Sequence, residues 1–205
     1  MSLLNEEEQR QVAQAIDHVE RGTDAELVTV LAASADDYAY APLIWAGVVA
    51  LLVPGLSNLY FGWLDANELL MAQIATFIVV ALIGWLPAIT SRLVPMRVRH
   101  WRAGNLARRQ FLEQNLHRTA GGTGILIFVS EAERYVEILV DHGISHRVDD
   151  SVWRAMVDEF TQRVRDGQTL EGFLGCIQAC GEVLSEHVPV TQGRNELPNR
   201  LIVLQ

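Results

Sequence analysis

The chain has 205 residues, enough for one soluble domain beside an apolar hairpin that takes about a quarter of it. Its net charge of −9 argues against nucleic-acid binding, which needs a basic face. All 16 basic residues are Arg, and a chain without Lys can run neither Schiff-base chemistry nor a P-loop.

The N-terminus, MSLLNEEEQR, is acidic and has no basic segment followed by an apolar one, so a cleaved signal peptide is not expected. Residues 5–21 read as an amphipathic helix. Asn5 and Glu8 form a capping-box pattern, Val12, Ile16 and Val19 mark the buried face, and Gly22 stops the helix. AELVTVLAA, residues 25–33, reads as a buried strand.

Two apolar stretches follow, residues 41–61 and 69–89, with a short polar break between them. About 20 helical residues at 1.5 Å rise span about 30 Å of hydrocarbon, so each is long enough to cross a bilayer. Neither stretch contains an ionisable Asp, Glu, Arg or His. Pro54 and Gly55 interrupt the first and are expected to kink it. Tyr38, Tyr40, Trp45, Tyr60, Phe61, Trp63 and Trp85 lie near the ends, where aromatic rings suit the interface.

Charge gives the expected topology. Residues 40–118 carry seven Arg against three acids, and the flanking pieces hold nine Arg against 22 acids. The loop Gly62–Glu68 has no Arg, whereas the second stretch runs into SRLVPMRVRHWRAGNLARR. By the positive-inside rule the basic flank, Arg92 to Arg109, belongs in the cytoplasm and contacts anionic lipid. Both termini then share the cytoplasmic side, and the soluble pieces can pack together.

After the hairpin, Arg102–His117 reads as a helix, and Gly121, Gly122 and Gly124 mark a turn. GILIFV and YVEILV, around the tight turn SEAER, read as a β-hairpin. Residues 151–165 form a helix with Trp153, Met156, Val157, Phe160 and Val164 on one face, capped from Asp149, Asp150 or Ser151. Residues 169–187 form the last helix, in which Cys176 and Cys180 are small apolar core residues. The tail from Val188 is expected to be loosely held, with Leu201–Leu204 able to dock. The fold class is α/β, a small sheet covered by helices and interrupted by a two-helix transmembrane hairpin. The expected division is 1–39 and 96–187 as two parts of one domain, 40–95 as the hairpin and 188–205 as a tail.

TDAELVTVLAA, TGILIFVSEAERYVEILVDHGI and the W–x2–MV pattern ahead of RDGQTLEGF resemble the TPM domain family, over roughly residues 5–38 and 105–187. The resemblance implies a Rossmann-like sheet. It also implies two activities proposed for the family, weak acid phosphatase activity and binding of Ca2+ or another divalent cation through acidic loops. Some bacterial members occur beside LemA-type membrane proteins, which makes such a protein a possible partner. The inward-facing orientation and the inserted hairpin depart from the common family pattern. The implied location is a bacterial inner membrane, crossed twice with both termini cytoplasmic.

Candidate sites follow from strand order. If the first two strands are parallel and the third returns as a hairpin, Asp24 and Asp141 share one rim, and Asp149 and Asp150 can join them. Hard cations want several carboxylate oxygens, so Asp24, Asp141, Asp149 and Asp150 are the candidate metal ligands. His142 and His146 lie nearby, with a surface loop role favoured. The opposite rim holds Asp36, Asp37, Glu131 and Glu133. No G-x-S-x-G or P-loop motif is present, so catalytic residues stay unassigned. The favoured reading is a non-catalytic assembly module that binds a membrane-protein partner or its own copies, with a cation-dependent phosphatase-like hydrolase as the alternative.

Overall fold

The computed structural model describes residues 4–86, 89, 93–191 and 197–204. Arg92 of the basic flank and tail residues 192–196 lie outside the described residues. The chain divides into two compact units, 1–35 with 100–205, and 36–99.

The first unit is built on a mixed sheet of four strands among the described residues. These are β1 (Glu26–Ala32), β2 (Gly124–Ser130), β3 (Tyr135–Val140) and β4 (Leu201–Leu204). Their order is β3-β2-β1-β4. β1 runs parallel to β2 from Glu26↔Gly124 to Ala32↔Ser130, and β3 returns antiparallel on β2. Every residue of β1 and β2 is buried. That is the pattern of strands covered on both faces, and it explains why both read as continuous apolar runs rather than alternating ones.

The pleat divides those runs between two cores. Leu27 and Leu31 of β1 and Ile125, Ile127 and Val129 of β2 face helices α1 (Glu6–Glu20), α5 (Asp150–Arg165) and α6 (Thr169–His187). Val28, Val30, Leu126 and Phe128 face helix α4 (Met96–Glu113) through Ala103 and Ala107. The result is an α/β sandwich. Capping follows the sequence closely at α1, where Asn5 Oδ1 accepts from Glu8 N at 2.9 Å and Glu8 Oε2 accepts from Asn5 N at 2.7 Å. Cys176 and Cys180 are buried and unbridged.

Three boundaries depart from the sequence reading. α4 begins at Met96 rather than Arg102, because Pro95 immediately precedes it and Pro is pre-organised for a helix start. It ends at Glu113, and Leu116–Arg118 form a separate 3-10 turn after Asn115 takes a left-handed conformation. The tail does not hang loose. β4 pairs in parallel with β1 from Thr29↔Leu201 to Ala32↔Leu204, which buries Leu201.

The second unit is the hairpin α2 (Tyr40–Phe61) and α3 (Ala66–Gly84). The helix runs through Pro54 and Gly55 without interruption. Ala41, Pro42, Ala46, Ala50 and Pro54 of α2 and Ala81 and Gly84 of α3 are the buried positions, and small residues there allow close packing. A Cβ on Gly84 would come 2.9 Å from Cβ of Pro42. Asn58 closes the turn by accepting from Leu64 N at 2.8 Å and donating to Leu64 O at 3.1 Å. Asp65 then caps α3, with Glu68 completing the box.

Candidate functional site

The sheet brings Asp24 and Asp141 to one rim, as the strand-order argument requires. Glu26 stands opposite Gly124, and Asp141 N donates to Gly124 O at 2.9 Å. Both carboxylates there accept hydrogen bonds from the protein, and Asp141 Oδ2 is left buried without a partner among the described residues. Asp24 Oδ2 accepts from Thr191 N at 2.8 Å and from the Thr191 hydroxyl. Asp141 caps the one-turn helix His142–Ser145. Its Oδ1 accepts from His142 N at 2.7 Å and lies 2.9 Å from the His142 ring Nδ1. Asp149 caps α5 by accepting from Ser151 N at 2.8 Å. The Ser151 hydroxyl and N–H hold Asp149 below the ordinary carboxylate range. Asp150 is the first residue of α5. Among the described residues, no group of three or more His, Cys, Asp or Glu is placed to hold a metal ion.

An open polar depression of about 560 Å³ lies at this rim, lined in part by Asp24, Glu26, Thr123, Arg147 and Thr191. Glu26 is buried, and its Oε2 accepts from Leu197 N at 3.0 Å. Beside it, Glu20 ends α1 with Oε1 accepting from Leu27 N at 2.8 Å. Burial first, and the charge of Glu26 second among the raising causes, push Glu20 from its ordinary 4.5 up to about 7. The folded state therefore holds this proton more tightly than the unfolded chain. The stabilisation from Glu20 is fully present below about pH 4.5 and is lost as pH rises through about 7. Glu20→Gln is expected to flatten the pH dependence of stability in that window, measured as urea midpoints across the pH series. An unchanged slope would place the titrating group elsewhere.

On the opposite rim, two glutamates tie segments of the fold together. Glu133 is buried and accepts from Ala35 N at 3.1 Å, from Ser34 Oγ at 3.2 Å and from the Ser130 hydroxyl. It ties the β2–β3 turn to the chain leaving β1. Glu131 Oε1 accepts from Thr169 Oγ1 at 3.1 Å and so joins that turn to the start of α6. The signal in the sequence was a glutamate inside a tight SEAER turn, flanked by an inward-facing serine.

A third cluster joins α4 to β3. Tyr135 Oη donates to Glu137 Oε2 at 3.0 Å, and Arg108 lies 4.0 Å from Glu137. The His100 and Tyr135 rings are 5.3 Å apart. Burial raises the Glu137 carboxyl and, aided by Glu137, raises the Tyr135 hydroxyl.

The hairpin shows the other functional feature. α2 and α3 are long and apolar enough to cross a membrane, and only 17% and 6% of their most apolar windows are buried. A core helix of a soluble domain would be mostly covered. Here Leu51 is 66% and Leu59 83% exposed.

The family model of the TPM domain matches residues 97–183. The chain carries a TPM domain. The match begins in α4 and ends in α6, so α1, β1 and β4 of the same compact unit lie outside it. β1 nevertheless pairs with the TPM strand β2 along its whole length. The fold agrees with the NMR structure of the BA42 protein from the psychrophilic bacterium Bizionia argentinensis. That likeness has 17% identity and a TM-score of 0.61, and covers 98% of this chain and 94% of that one. No curated protein matches the chain.

Proposed function

We propose that the protein is a membrane-anchored assembly module. The hairpin crosses a bilayer twice, the basic flank after it lies in the cytoplasm, and the TPM domain is held at that face. There it binds a membrane protein or further copies of itself, without turnover. The observation that carries this reading is the apolar hairpin, uncovered over most of its surface and inserted in sequence between β1 and β2 of one sheet. A folded domain threaded by its own anchor is fixed at the membrane by two chain crossings, which suits a tethered partner-binding role.

Affinity purification of the full chain from native membranes in mild detergent, with a mass for the intact complex, tests it. A stoichiometric partner or a defined homo-oligomer is expected. A lone monomer would overturn the assembly reading and shift weight to the candidate cation ligands Asp24, Asp141, Asp149 and Asp150. A Ca2+ titration would follow, with aryl-phosphate hydrolysis as the assay for a cation-dependent phosphatase.

A further inference from the structure

Helix α4 buries one face and leaves another uncovered. Ala103, Gly104, Ala107 and Gln110 are buried, and a Cβ on Gly104 would meet Tyr135 Oη at 3.1 Å, so this face lies flush on the sheet. The outward face carries two adjoining rows at helical spacing, Trp101–Asn105–Arg108–Leu112 and Arg102–Arg109–Glu113, all exposed. Trp101 is 60% and Leu112 58% exposed. The Arg102 guanidinium lies 5.3 Å from the Trp101 ring centre. Arg109 pairs with Glu113 at 2.7 Å and Arg108 approaches Glu137 at 4.0 Å, but these arginine side chains are 72% and 63% exposed, so the pairs are weak and screened.

A tryptophan and a leucine among guanidinium groups is the chemistry of a membrane interface, with apolar bodies in the headgroup layer and cations on the phosphates. Charge complementarity points the same way. The compact unit that contains this face holds 21 acids against 13 Arg, so an anionic surface repels most of it and attracts this helix. Chain length supplies the third argument. α4 starts twelve positions after Gly84, the last residue of α3, so its N-terminal end is tethered to the hairpin by a short stretch of chain.

We infer that the outward face of α4 docks on anionic lipid headgroups of the leaflet that the hairpin enters. Trp101 and Leu112 sit in the interface, and Arg102, Arg108 and Arg109 contact lipid phosphates. The inference rests on the hairpin crossing the bilayer and requires no protein partner.

The test uses the full chain in nanodiscs of brominated phosphatidylcholine, with or without brominated phosphatidylglycerol. The readout is the tryptophan quenching that disappears in Trp101→Phe. This component is expected to be larger with phosphatidylglycerol and to fall severalfold between about 0.05 and 0.5 M salt, as the screening length shrinks. It should be lost in the triple variant Arg102→Gln, Arg108→Gln, Arg109→Gln, and reduced in Arg102→Gln alone should the triple variant misfold. Equal quenching in the two lipids, or quenching indifferent to the arginines, overturns the inference and leaves the anchor intact. A chain that fails to float with vesicles overturns both.

Discussion

Replacing Phe160 by alanine is expected to cost the TPM domain about 3–5 kcal/mol of stability. The ring is 1% exposed and meets Phe173 edge-on at 5.0 Å. Such pairs add about 0.5–1.5 kcal/mol beyond burial. The space is also closed from the far side. A Cβ on Gly172 would come 2.2 Å from the Phe160 ring, so α6 presents bare backbone to it. At Gly172 there is no side chain to swing into the vacated volume, so on that side the cavity term is retained. Urea midpoints of the full chain in detergent, read by near-ultraviolet circular dichroism, check this. A loss under about 1 kcal/mol would mean that α5 and α6 close the gap by moving together, against the packing described here.

Ending the chain at Thr191 is expected to destabilise the domain by at least about 3 kcal/mol, through two separate effects. The first is apolar. Leu201 leaves a buried position, and the parallel ladder from Thr29↔Leu201 to Ala32↔Leu204 is lost, which exposes a central strand as an edge. The second is polar. Glu26 is 3% exposed, and its Oε2 accepts from Leu197 N, a donor that the truncation removes. A buried carboxylate that loses a donor costs more than the bond contributed. Repeating the truncation on a Glu26→Gln background separates the two effects, since the polar part should shrink while the apolar part stays. A truncated chain with an unshifted urea midpoint would show that β4 is dispensable.

The legible parts of this fold share a physical reason. Helix α1 was readable because its determinants are local: Asn5 and Glu8 close the capping box, and Val12 and Ile16 repeat at helical spacing. The strands β1 and β2 were readable because both faces are covered, which demands unbroken apolar runs. Even the rim of Asp24 and Asp141 followed from strand order. Where the sequence reading stopped short, a distant partner decides. Asp24 is a candidate cation ligand in sequence, and Thr191, far along the chain, engages it in the fold. Nothing near LIVL says that it will pair with β1. Nothing near Glu133 announces that Ser34 and Ala35 will come to it from the far side of the hairpin.

The amino-acid sequence alone determined the apolar hairpin, the interrupted domain around it and the α/β class. Hydropathy, periodicity and capping act within a few residues of one another and need no tertiary context. Tertiary structure alone decided that the tail is a strand and that Asp24 is engaged by Thr191, while Asp141 and Asp149 cap helices. It also decided that α4 turns small residues to the sheet while Trp101 and its arginines face outward. Each depends on which chain segments meet across the sheet, and that is set by packing the whole core rather than by any short run of residues.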